Sequence, residues 1–149
     1  MNRPELHSLA REIGLEDAAK RDLRLAFGVA CVERVEHLLI DQAVIDALAI
    51  GKQFVAGNAS SQALAAAAQA AARAAQSHAG TNSFDGSGSA AVSTSHAVAA
   101  ALAGRAIDAA DYAAYAGVYA YSSYAVTDPS AYASISEWQL TTLRSLYEG

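Results

Sequence analysis

Apolar residues return along this chain at intervals of three and four, and clean alternation of apolar and polar positions is absent. That period predicts helices throughout. Residues 3–13 form a short leading helix that stops at Gly14. Residues 16–40 read as one long helix. Leu23, Phe27, Ala30 and Leu38 share one stripe of it, while Leu25, Val29, Val32 and Leu39 fall on other arcs. A helix apolar on most sides belongs at the centre of a bundle. Residues 41–57 follow, with Asp41 as N-cap and Gly57 or Asn58 as the stop. Ser60 or Ser61 caps a third helix running to His78, in which Leu64 is the single large apolar side chain. That helix must pack through an alanine face or lie partly exposed. Residues 80–88 (GTNSFDGSG) break the period and read as a loop. A helix over 89–103 ends at Gly104, and another over 106–124 is stopped by Asp128-Pro129, since the residue before proline disfavours helix. The last helix begins at Tyr132 or Ser134 and runs to Tyr147, carrying Ile135, Trp138, Leu140, Leu143 and Leu146. The expected architecture is all-α: a single domain over 1–149, with a leader in 1–15 and about five main helices in 16–147. Short connections make sequential helices antiparallel.

Composition sharpens this picture. Alanine fills about a quarter of the 149 positions, whereas Phe, Trp and Met together number five. Each buried methyl contributes only roughly 0.8 kcal/mol. Such a core is stable only where backbones approach closely, near the low end of the roughly 8–10 Å interaxial range. Cys31, the single cysteine, falls on an apolar arc and reads as a small buried hydrophobe. The apolar run 97–103 is too short to span a bilayer, and Gln69 and Arg73 interrupt 63–75. No signal peptide is evident, and the expected location is cytoplasmic. Net charge is −5, and residues 85–149 hold −4 of it, six acids against Arg105 and Arg144. No basic stripe suggests nucleic acid. The acidity suits a basic partner.

The search for reactive groups is mostly negative. His7, His37, His78 and His96 are never spaced three or four apart, so no helical metal site is expected and no cofactor. No GxSxG elbow occurs, and Gly86-Ser87-Gly88 lacks the P-loop lysine. Asp108 and Asp111 lie one turn apart, with nothing nearby to give one the acid role and the other the base role. A non-enzymatic protein is expected. Arg34 falls on the apolar stripe of the long helix. It needs an acid or carbonyl from another helix, or else its stem lies along the core with the head outside. His96 shares an arc with Val92, Ala99, Ala100 and Ala103, as a hydrogen-bonded core histidine or as a polar group lining a cleft. On the helix after Gly104, Asp108, Tyr112, Tyr115 and Tyr119 share one arc with Asp111 at its edge, opposite a side of Ala and Gly. These tyrosines either cover a thin alanine core or present a recognition stripe, a role in which tyrosine is enriched.

The stretch Lys20-Arg21-Asp22-Leu23-Arg24-Leu25-Ala26 through Ala30-Cys31-Val32-Glu33-Arg34-Val35 resembles a known opening. The order behind it matches too. A helix ends in Gly51-Lys52-Gln53-Phe54-Val55-Ala56-Gly57, two alanine-rich helices follow with Ser95-His96-Ala97 in the second, and an Ala/Tyr helix precedes Glu137-Trp138-Gln139 near Leu143. Over roughly residues 20–147 the chain resembles the small all-helical immunity proteins of bacterial polymorphic toxin systems, in the immunity protein five-like group. That resemblance implies a cytoplasmic, non-catalytic protein that neutralises a cognate toxin by binding it. It assigns no toxin contacts. The matched Asp22, Glu33, Arg34, Trp138 and Gln139 fit structural positions as well as contacts. Two other readings stand beside it: a small-molecule protein or enzyme with a pocket near His96 and Arg34, and a self-associating structural module that buries the Tyr stripe in a homo-oligomer.

Overall fold

The computed structural model describes residues 4–77, 86–120 and 129–149. Among them are seven α-helices: α1 (Pro4–Glu12), α2 (Arg21–Glu33), α3 (Gln42–Val55), α4 (Ser61–Gln76), α5 (Gly86–Leu102), α6 (Ala106–Ala120) and α7 (Pro129–Glu148). No described residue is in a strand. The class is all-α, with six main helices behind the leader where about five were expected.

Local chemistry sets the helix ends. Gly14 closes α1 at a φ of +67°, with Leu15 N–H donating to Ala10 O at 2.9 Å and Gly14 N–H to Arg11 O at 3.2 Å. Gly104 (φ +81°) closes α5 in the same way, Arg105 N–H reaching Ala100 O at 2.9 Å. In both places the left-handed residue lets two terminal carbonyls accept a bond, which a Cβ would hinder. The second closure folds α6 back along α5. Asp41 caps α3 by accepting from Ala43 N–H at 2.9 Å, and Ser60, rather than Ser61, caps α4 by accepting from Ala63 N–H at 3.1 Å. α7 begins at Pro129, earlier than expected, because proline suits the first helical position.

The stretch 16–40 is not one helix. A 3₁₀ turn at Ala18–Lys20 precedes α2, and Arg24 Nη1 holds it by donating to the carbonyls of Leu15 and Asp17, each at 2.7 Å. α2 stops at Glu33. Val35 leaves helical geometry at φ −120°, ψ 9°, and a second 3₁₀ turn, Glu36–Leu38, leads to extended Leu39. Val32, Val35 and Leu39 are all buried. Their spacing therefore keeps a helical period although the backbone has turned off the helix axis. Lys52 Nζ, 2.8 and 2.7 Å from the two carboxylate oxygens of Glu36, ties this turn to α3. The expected loop over 80–88 is shorter at its far end, since Gly86–Gly88 open α5. Residues 80–85, His78 and 121–128 lie outside the described residues.

α2 does lie against α3, α5, α6 and α7, and it buries Phe27 completely. The most enclosed helix is nevertheless α5. From Ser93 to Leu102 only His96 keeps partial exposure. α2 and α5 meet at Gly28, where an added Cβ would lie 3.1 Å from Ala101 Cβ and 3.2 Å from its Cα. This is the methyl-scale approach that the composition demanded. α4 buries Leu64, Ala67, Ala71, Ala74 and Ala75, an alanine face as expected. Cys31 is buried. No helix among the described residues is long and apolar enough to cross a membrane.

Candidate functional site

The faces of α6 are set by side-chain size. At 100° per residue, Ala110, Ala113, Ala114 and Gly117 point away from the Asp/Tyr arc, and they are buried, as are Ala109, Ala116 and Val118 at its flanks. The opposite arc holds Asp108, Asp111, Tyr112 and Tyr115. The two rings stay 40% and 38% exposed. With Ser93 of α5 these four residues line an open groove of about 530 Å³. Tyr119 is on the same helix, and its ring lies outside the described side chains.

Contacts along the groove position its walls. His96 is half-buried and stacks on Tyr112, with ring centroids 5.4 Å apart and planes at 23°. Its ring backs that of Tyr112. His7 of α1 places Nε2 3.4 Å from Asp111 Oδ2, and Arg105 Nη1 lies 3.5 Å from Asp108 Oδ2. All four of these side chains are well exposed, so the pairs are weak in water and yield readily to a competing partner. The groove therefore offers two carboxylates beside two aromatic rings, a combination that recognises cationic side chains. His7 was not foreseen beside Asp111; the folding of α1 against α6 brings it there.

The remaining polar candidates gather elsewhere. Arg34 is exposed, with its guanidinium carbon 4.4 Å above the centroid of the half-buried Trp138 ring. Its head is outside the core and its partner is an aromatic face, not an acid. Gln139 is 1% exposed and donates from Nε2 to Ala110 O at 3.0 Å, joining α7 to α6. Among the described residues nothing donates to its buried Oε1. These residues border a small cavity of about 60 Å³ where α2, α6 and α7 meet, together with Val35, His37 and Gly117. Of the four residues expected to be buried or structural, only Gln139 is fully buried. Arg34 borders this cavity, whereas His96 stacks on Tyr112. Among the described residues no three His, Cys, Asp or Glu side chains are grouped so as to hold a metal ion.

No family model, curated protein or solved structure matches the chain.

Proposed function

We propose that this chain is a non-catalytic binding protein that neutralises a cognate toxin by occluding it, with the groove along α6 as its recognition surface. One observation carries the reading. Asp108, Asp111, Tyr112 and Tyr115 stand outward on a helix whose other side is consumed by alanine packing. Tyrosine buries large area for little entropy and keeps a polar tip. Flanking carboxylates add attraction for Lys or Arg and speed the encounter with a basic surface. The partner is thus a protein with a basic patch, not nucleic acid and not a membrane. The resemblance to immunity proteins supplies the class of partner, and the acidic balance of −5 agrees with it.

The test is co-purification with the product of the adjacent gene, followed by titration calorimetry. Replacing Asp108, Asp111, Tyr112 and Tyr115 together by Ala should leave the far-UV circular dichroism intact. Affinity should fall by at least about 100-fold, the loss of two ordinary hot spots. Unchanged affinity would reject this surface. Failure to bind that product, or to relieve its toxicity, would reject the reading as an immunity protein.

A further inference from the structure

We infer that His7 on α1 is a pH-dependent competitor for the groove on α6. Its protonated ring occupies the carboxylate that a cationic partner needs, so the groove binds basic side chains more tightly as pH rises. This rests on the reading of that groove as a surface that recognises cations.

Asp111 offers a partner one oxygen, not two. Its Oδ1 is buried, which leaves Oδ2 as the oxygen that a partner reaches. Oδ2 is also the atom that His7 faces, with Nε2 at 3.4 Å. An ammonium or guanidinium that takes Oδ2 therefore has to displace the imidazole. The two side chains keep 45% and 40% exposure, so the ring can swing aside into water. α1 itself need not move, because Leu6, Leu9 and Ala10 bury it against the bundle.

Charge decides how hard that displacement is. Histidine is the side chain whose charge ordinarily changes between about pH 5 and 8. Protonated, His7 forms an ion pair with Asp111 and resists a competing cation. Neutral, it keeps at most a hydrogen bond and yields. Few other charges face the ring. From α6 its partner is Asp111. From α7, none of Glu137, Arg144, Tyr147 and Glu148 pairs with it among the described residues. Arg11 follows one turn later on α1, and Glu16 and Asp17 border the same cavity as these two side chains. The other carboxylate of the groove, Asp108, pairs with Arg105, whose guanidinium keeps its charge throughout. The groove thus has one fixed internal cation and one that titrates.

The probe is an acetylated, amidated tetralysine, cationic at every pH used. Its affinity for the full-length chain is measured by titration calorimetry at low, constant ionic strength, at about pH 5.5 and about pH 8. The wild-type chain should bind it about threefold more tightly at the higher pH, the effect of one exposed ion pair. His7→Gln should bind equally at both, with the higher wild-type affinity. His7→Lys, which keeps a competing charge at both pH values, should bind about threefold more weakly than His7→Gln throughout. A wild-type ratio near one overturns the inference, and so does the wild-type ratio persisting in His7→Gln. Either result spares the groove itself as long as Asp108→Ala with Asp111→Ala weakens the peptide. If that double variant binds like the wild type, or if the wild type binds no peptide, the groove is not a cation site and the competition falls with it.

Discussion

At the scale of single residues, Gln139 and Arg34 show how position and chemistry part company. Gln139 gives one hydrogen bond to Ala110 O, and among the described residues nothing meets Oε1. The first contributes about 1 kcal/mol, while an unmet buried acceptor costs about 1–3 kcal/mol. Leucine keeps most of the volume and removes both. Gln139→Leu is therefore expected to stabilise the chain by up to about 2 kcal/mol in urea unfolding. A loss of that size instead would show that Oε1 is satisfied in solution. Arg34 looked inward from the sequence because it continues the Leu23–Phe27–Leu38 stripe. It is in fact the residue after the last turn of α2, and it reaches out over Trp138. An exposed cation–π contact is worth about 0.5–1 kcal/mol, whereas breaking a buried ion pair costs about 3–5. Arg34→Ala should thus lower stability by no more than about 1 kcal/mol. A drop above about 3 kcal/mol would restore the buried reading.

At the scale of elements, helix type and most boundaries were legible because caps, glycine stops and the alanine face of α4 all act locally. The break between α2 and α3 was not. Val32, Val35 and Leu39 keep their helical spacing through the 3₁₀ turn, and the Lys52–Glu36 pair that holds the turn joins residues sixteen apart. Nor was the central helix legible. The letters of α5 are small, and their enclosure depends on how near α2 comes. That distance is set at Gly28 against Ala101. Gly28→Val pushes two methyls into the Ala101 backbone, which a flexible neighbour cannot absorb. Overpacking of this kind costs about 1–3 kcal/mol, and each kcal/mol lowers Tm by about 2–4 °C at this chain length. Thermal unfolding followed by circular dichroism should show a fall of several degrees. Ala49→Val, on an exposed position of α3, should stay within about 0.5 kcal/mol of the parent. If both behave alike, the helices do not touch at Gly28.

At the scale of the whole molecule, one apolar cluster gathers residues from every helix: Leu6, Val32, Leu48, Ala71, Val98, Ala110 and Leu143 represent α1 to α7 in order. The all-α class could be read from composition because alanine permits little else. The groove could be read only as a stripe on one helix, since Ser93 reaches it from α5 and the contacts of His7 with Asp111 and of His96 with Tyr112 come from other helices. The partner could not be read from either, for a surface of carboxylates and tyrosines defines a chemistry and not a molecule. A shared cluster has a measurable consequence. No helix can leave it without exposing apolar surface on the others, so the chain should unfold in one cooperative step. Trp138 is well placed to test this. It sits on the last helix, which meets the bundle mainly at α1, α2 and α6. If α7 is integral, Trp138 fluorescence and helical ellipticity should superimpose in urea, with a common midpoint and a slope of about 1–3 kcal/mol/M. Should the fluorescence change complete at lower urea than the ellipticity, α7 detaches first, and both the Arg34–Trp138 stack and the cavity behind it belong to a separate, weaker unit.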